Sequence, residues 1–329
     1  MIDSRTRGPR TNIALLFLLV SLLAAGGARA LAQVSDLPEE PLPRAQALIR
    51  DRNTTAGVTL RYKVYSDDPR LDTKKAAAML ESFREYFEKD WSAFPGRKKD
   101  EPPAHVFLFY SRLKYAQLQG ASVRQIGPMD LGHYNTLADI IALQTDFAAP
   151  DDLPDALVHE ATHQVTQKTL LGTGVFGSPW LMEGLAEYYG NMRSDPKTGY
   201  QPGRIGGKGT WLFHDGVSRG RGMRGGMRED ELRQYRKELS KGVAAPIDTL
   251  VGMRDPGQFL SEGSLMRYTA SWLLVHFLMQ GDGGRYREGF GRYIQKEAAG
   301  EPGPAALYEA LGLSAADLQT AFEAHVKQI

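Results

Sequence analysis

The sequence contains no cysteine among its 329 residues. This absence excludes a cysteine nucleophile, a thiolate metal site and any disulfide. Any metal site in this chain must therefore be built from histidine and carboxylate side chains. The length allows one large domain or two lobes, and it is sufficient to bury a sizeable core.

The chain also lacks a strong net charge. Lys and Arg together number 40, against 39 Asp and Glu. With charges this evenly balanced, no overall field attracts nucleic acid or an anionic membrane surface. We therefore expect no nucleic-acid partner.

The apolar run near the N-terminus is short for a membrane span. It extends from Ile13 to Ala25, three arginines precede it, and small residues dominate positions 26–32. This three-part form is typical of a secretory signal, whereas a transmembrane helix needs about 20 apolar residues. We predict a signal peptide over residues 1–32, cleaved after Ala32 or alternatively after Ala30. The mature protein is then periplasmic or extracellular, without a stable membrane anchor.

The sequence contains one motif with clear chemical meaning, His-Glu-x-x-His, formed by His159, Glu160 and His163. In a helix the two histidines lie about 40° apart around the axis. Both imidazoles can then bind one zinc ion, while Glu160 on the neighbouring flank reaches a water molecule as a general base. The apolar residues of the same stretch fall on the opposite arc of the predicted helix, where they can pack on a core: Leu157, Val158, Ala161 and Val165.

A second acidic pair follows twenty residues after His163, in the run Trp-Leu-Met-Glu-Gly-Leu-Ala-Glu-Tyr-Tyr from Trp180. This distance leaves room for a loop and an antiparallel return helix. We interpret Glu183 as the third zinc ligand. Glu187 lies one helical turn further on the same face. We expect Glu187 to accept a hydrogen bond from the free ring nitrogen of a ligand histidine.

The rest of the chain divides into two parts around this motif. After a linker at 33–44, residues 45–150 predict an N-terminal α+β lobe, with strands at 58–65, 105–110 and 138–145. A long helix capped by Asp72 lies between the first two strands, and apolar residues recur along it at helical spacing. Residues 151–329 predict the zinc-binding helices and a mainly helical C-terminal lobe, with the motif helix between the two lobes.

With these residues in place, the chain resembles the gluzincin metallopeptidases, and within them the peptidase MA-like group, in particular a bacterial family designated DUF1570. The resemblance is specific over His159–Gly190 and looser over Tyr268–Leu278. It implies one zinc ion held by His159, His163 and Glu183, with Glu160 as general base and acid. It also implies that Tyr268 donates to the oxyanion. The alternative for Tyr268 is an ordinary core or boundary tyrosine. The aminopeptidase branch has a Gly-x-Met-x-Asn strand, from which the sequence starting at Gly127 departs, so recognition of a free amino terminus is not supported.

The resulting expectation is an exported zinc metallopeptidase that hydrolyses peptide or protein substrates. The alternative is a binding or scaffold protein that keeps the fold but cleaves nothing. Glu160 favours the enzyme, because a scaffold has no need of a base. Substrate, cleavage specificity and the choice between endopeptidase and exopeptidase stay open.

Other patterns carry less weight. Gly216–Gly220 matches the Gly-x-Ser-x-Gly elbow around Ser218, but no suitable helix follows it, so we interpret the match as chance. The Gly- and Arg-rich stretch 199–227 fails as a phosphate loop and predicts a mobile loop beside the cleft. His276, within an apolar helix, is expected to be a core histidine. His133 and His214 are expected in loops and have no partner pattern; a position beside the cleft is the lesser alternative for each.

Overall fold

The structure is a computed structural model and describes residues 37–94, 102–125, 131–146, 153–172, 174–190, 192–195, 199–205 and 229–329. The predicted signal peptide, Gly127, His214 and Ser218 lie outside these residues. Within the described part of the chain, no helix combines the length and apolar character needed to cross a membrane.

Five strands form one mixed sheet in the order β1-β2-β3-β5-β4. The strands are β1 (Thr55–Val58), β2 (Tyr62–Ser66), β3 (Ala104–Phe109), β4 (Gly132–Asn135) and β5 (Ile140–Gln144). The three central strands β2, β3 and β5 are parallel, and β1 and β4 pair antiparallel at the two edges. Strands β3 and β5 are almost wholly buried, which explains their continuous apolar sequences, since helices cover both faces of the sheet.

The two faces of the sheet have separate cores. Val106 and Leu108 of β3 pack in the core shared with α2 (Thr73–Asp90) and α4 (Leu153–Thr166). Phe107 and Phe109 point to the other face, where α1 (Pro41–Ile49) and α3 (Arg112–Leu118) pack. The division follows from the alternation of side chains along a strand.

Helices account for most of the chain after the sheet. A π-helical turn over Gln167–Leu171 follows α4 directly, and α5 (Pro179–Gly190) packs against α4. A two-stranded ladder joins β6 (Arg193–Asp195) and β7 (Gly199–Gln201). The remaining helices are α6 (Glu229–Ser240), α7 (Ile247–Gly252), α8 (Pro256–Phe259), α9 (Ser264–Gln280), α10 (Arg287–Ala298), α11 (Pro304–Leu311) and α12 (Ala315–Gln328).

This mixture of helices with a five-stranded mixed sheet is compatible with the predicted α+β class. Asp72 caps α2 as predicted, accepting from the amides of Lys74 and Lys75. His276 is buried in α9 as predicted, and its Nδ1 lies 2.8 Å from Nε2 of His325. The prediction of a single strand over 58–65 is wrong. Residues 59–61 form a turn between β1 and β2, and the apolar alternation continues across that turn.

Several short elements were not predicted, namely α3, β4, α7, α8 and the ladder of β6 and β7. Each has only three to seven residues, too few to show a clear period. Helix α1 begins at Pro41, four residues before the predicted start of the lobe at residue 45, because proline is well suited to the first turn of a helix.

Candidate metal centre

Helix α4 holds His159 and His163 above the sheet. Its apolar arc is buried as expected, with Leu157, Val158, Ala161 and Val165 in the core shared with β3 and β5. The two imidazoles lie on the other side of the helix, with ring centroids 4.9 Å apart and planes at 83°. Packing of the apolar arc therefore fixes the direction in which both rings point.

Helix α5 brings Glu183 to the two rings. Its Oε2 lies 3.5 Å from His159 Nε2 and 3.7 Å from His163 Nε2. Tetrahedral coordination at about 2.0–2.2 Å places neighbouring ligand atoms about 3.4 Å apart. The three ligand atoms all lie within 4.8 Å of one another, and in the described part of the chain no other group of His, Asp or Glu converges in this way. Two imidazoles and one carboxylate are a donor set that zinc accepts, and three protein ligands leave a fourth position for substrate or water.

Glu187 lies behind His159. Its Oε1 is 3.4 Å from His159 Nδ1, so the ring stands between Glu187 and Glu183. This placement directs Nε2 of His159 toward His163 and Glu183. A carboxylate in this position orients a ligand histidine and raises its basicity.

The electrostatics of the cluster favour a positive charge at its centre. Burial opposes protonation of His159, but the carboxylates of Glu183, Glu187 and Glu160 outweigh it and raise its pKa to about 9. Burial lowers the pKa of His163 to about 4, and the neighbouring His159 adds to the effect. Burial alone would raise the pKa of Glu183, but the two histidines lower it. A cation bound among the three groups would satisfy the same carboxylates and leave both rings neutral, the state in which imidazole binds a metal.

Glu160 is buried between α4 and the sheet edge at β4, with 9% of its surface exposed. A Cβ atom added at Gly132 would lie 3.0 Å from Glu160 Cγ. The absence of a side chain at position 132 therefore leaves the space that Glu160 occupies. The sequence did not indicate this contact, because β4 is a four-residue strand without an apolar alternation.

Tyr268 of α9 reaches the same site. Its hydroxyl lies close to the Glu183 carboxylate, and its ring packs edge-on against Phe259 at 5.4 Å. Burial raises the pKa of Tyr268 far above its usual value, and the nearby Glu183, Glu187 and Glu160 raise it further. The phenol therefore stays protonated and can donate a hydrogen bond.

Gly184 allows α9 to come this close. A Cβ atom at Gly184 would lie 2.7 Å from the Ser271 carbonyl oxygen and 2.7 Å from Val275 Cγ2. Since Ser271 stands one turn beyond Tyr268, the glycine beside Glu183 sets the separation of the two helices at the site.

His133 does not flank the site. It lies on β4 opposite Ala142, on the sheet face of α1 and α3, and its Nδ1 is 3.2 Å from the Tyr115 hydroxyl. The loop prediction is wrong because His133 belongs to a strand, where alternation turns it away from α4. Burial lowers its pKa to about 4.

A scan against protein-family models found no matching family, and a search of curated proteins found no matching protein. The functional assignment accordingly depends on the geometry and chemistry of this site.

Proposed function

We propose that this protein is an exported zinc metallopeptidase of the gluzincin type, which hydrolyses peptide bonds. One observation carries the proposal: His159, His163 and Glu183 converge within 4.8 Å. The motif's Glu160 follows His159 directly in sequence, and Glu187 lies behind His159. A polar helix pair without a function does not require this combination of residues.

The two-lobed gluzincin architecture is part of the proposal. All five strands of the main sheet precede α4 in the chain, whereas helices predominate after α5. A substrate cleft between these parts, with α4 and α5 at its base, would place the three proposed ligands beside the peptide to be cleaved.

In the proposed reaction, the residues of this chain bind, orient and move a proton. A zinc ion held by His159, His163 and Glu183 would supply Lewis acidity and make water acidic enough to be activated near neutral pH. Glu160 takes a proton from the attacking water and passes it to the leaving amine nitrogen, so that one carboxylate serves as base and then as acid. Glu187 holds His159 in the tautomer that presents Nε2 to the metal.

Tyr268 is proposed to donate a hydrogen bond to the oxyanion that develops on the scissile carbonyl. Its protonated phenol and its position beside Glu183 support this role. Removal of one such donor costs about 3–4 kcal/mol of transition-state stabilisation. The substrate is a peptide or protein whose sequence preference the site does not define.

The test compares the wild type with Glu160→Gln for zinc content and for cleavage of a peptide library. We expect one zinc ion per chain in both proteins and cleavage only by the wild type. Glu288→Gln, at a side chain that is 80% exposed on α10, serves as the matched control and should behave as the wild type. Equal cleavage by wild type and Glu160→Gln refutes the catalytic role of Glu160. A zinc-loaded wild type that cleaves nothing favours the scaffold alternative.

Export is proposed on the N-terminal sequence alone. N-terminal sequencing of the protein recovered from the source cells tests it. A mature chain that begins at Gln33 or Leu31 supports the proposed signal peptide, and retention of the first thirty residues in the mature protein contradicts it.

A further inference from the structure

Glu297 is a buried carboxylate, far along the chain from the candidate metal centre, and the proposed reaction does not use it. It lies in the last turn of α10 with 3% of its surface exposed. Its Oε2 accepts from the Ser178 amide at 2.8 Å, and its Oε1 accepts from the hydroxyls of Ser178 and Tyr293. Arg254 Nη1 lies 3.7 Å from the same Oε1. A buried charge is tolerated only with such partners.

The main partner, Ser178, immediately precedes α5. Its carbonyl accepts the first bonds of the helix, from the amides of Leu181 and Met182. A serine in this position usually turns its hydroxyl back to the free amides of the first turn. Here the hydroxyl donates to Glu297 instead, and the Ser178 amide does the same. The negative charge also lies at the positive end of the α5 dipole, where it is favourable.

Aromatic packing secures the same end of the helix. Trp180, in the first turn of α5, is fully buried. Its ring lies 5.6 Å from the ring of Tyr293 and 6.3 Å from that of Phe290, both on α10. The first turn of α5 is therefore tied to α10 by the Glu297 hydrogen bonds and by these ring contacts, while α4 and α9 pack along the rest of the helix.

This anchor has a specific consequence for Glu183. Glu183 lies five residues after Ser178, which corresponds to about 7.5 Å along the axis at about 1.5 Å per residue. At a radius of about 6 Å, a roll of about 10° moves the carboxylate by about 1 Å. Metal sites tolerate only about 0.2 Å in the metal–ligand distance. A rotation of α5 that is small for core packing therefore displaces Glu183 by more than a metal site tolerates.

We propose that Glu297 is a positioning residue, which sets the rotation of α5 and so places Glu183 at the metal. This inference depends on the proposed zinc site. Arg254 extends the contact to the segment before α8, because its Nη1 also donates to the Ser178 hydroxyl at 2.5 Å. That segment leads through α8 into α9, which carries Tyr268. Glu297 therefore contacts the chain just before α5, which carries Glu183, and also the segment that leads to Tyr268.

The experiment titrates the metal-free full chain with Co²⁺ and with Zn²⁺ in competition with a chelator. It records the affinity and the visible absorption of the cobalt protein, which reports the coordination geometry. We expect Glu297→Ala to bind 10- to 100-fold more weakly, as loss of a ligand-orienting group does. Its cobalt bands should be altered. Glu297→Gln keeps an oxygen for the Ser178 amide and should recover most of the affinity.

Two further variants separate positioning from general stability. Ile294→Ala removes a buried side chain of α10 that is not part of the Glu297 hydrogen-bond network. It should lower the urea midpoint without changing the cobalt spectrum. If Glu297→Ala does not fold, Ser178→Ala removes the hydroxyl contacts with Glu297 and Arg254 but keeps the bond from the Ser178 amide to Glu297, and it should weaken metal binding 3- to 10-fold.

The outcomes are distinguishable. In one outcome the wild type binds metal, and Glu297→Ala, or Ser178→Ala where that variant is used, shows the same affinity and the same cobalt spectrum. This result overturns the positioning role alone. An equal loss of metal affinity in Ile294→Ala also overturns the positioning role, because the loss would then follow from lower stability of the fold. A wild type that binds neither metal overturns the proposed function itself.

Discussion

The contact between Gly132 and Glu160 makes a sharp prediction for the substitution Gly132→Ala. In the interior of a strand, alanine is usually more stable than glycine by about 0.5–1 kcal/mol, because glycine loses more conformational freedom on folding. At this position the added Cβ would lie 3.0 Å from Glu160 Cγ, 2.9 Å from Leu143 Cγ and 3.1 Å from the Ala142 carbonyl oxygen. The usual gain should therefore disappear.

The size of the effect follows from these distances. Carbon atoms pack at about 3.5–4.0 Å, so each contact with a side-chain carbon is too short by about 0.5 Å or more. Ala142 belongs to the paired strand β5, and its backbone oxygen cannot withdraw without breaking the ladder. The displacement therefore falls on the side chains of Glu160 and Leu143. Overpacking costs about 1–3 kcal/mol, while a shift of the proposed base by about 1 Å lowers kcat by up to about 100-fold.

The assay measures kcat and KM on a peptide that the wild type cleaves, together with zinc affinity and urea unfolding. We expect Gly132→Ala to lose about 10- to 100-fold in kcat, with KM and zinc affinity near the wild-type values. Gly252→Ala is the matched control, because its new Cβ meets only Pro304 Cγ at 3.9 Å. A Gly132→Ala enzyme with wild-type kcat would refute the reasoning, since Leu143 alone would then have absorbed the methyl group.

Two further predictions concern the helices around the site. Gly184→Ala should lower the free energy of unfolding by about 1–3 kcal/mol in urea titrations, despite the better helix propensity of alanine, because its methyl meets the Ser271 carbonyl at 2.7 Å. Unchanged stability would mean that α5 and α9 can separate freely. Burial and the neighbouring His325 lower the pKa of His276 to about 4. Its stabilising contribution is therefore complete above the unfolded pKa of about 6.5 and is lost as pH falls toward 4, by up to about 3 kcal/mol. Unfolding of His276→Gln should depend less on pH over this range, and equal slopes would contradict the assignment.

The meeting of His159, His163 and Glu183 could be predicted because its signals are local. Two histidines four residues apart share a helix face, and the return helix has space to bring back a carboxylate within twenty residues. The apolar arc of α4 also follows from the sequence period alone. Zinc binding at this meeting point stays a prediction.

The supports of the site could not be predicted in the same way. Glu297 contacts Ser178 across 119 residues, and no periodicity links positions that far apart. Gly132 stands in a strand of four residues, where the sequence Gly-His-Tyr-Asn contains no repeated apolar position. The misassigned strand over 58–65 shows the same difficulty, because alternation does not reveal where a chain turns back.

The order of the site residues along the chain also bears on how the site assembles. Glu183 follows His163 by 20 residues, whereas Tyr268 lies 105 residues beyond His163. Closing the longer loop costs about 1.5 kcal/mol more in chain entropy. Helices α4 and α5 can therefore meet, and capture a metal ion, before α9 arrives. An ion captured at that stage would act as a template on which the later helices dock, so that zinc supply would influence the folding rate as well as the activity.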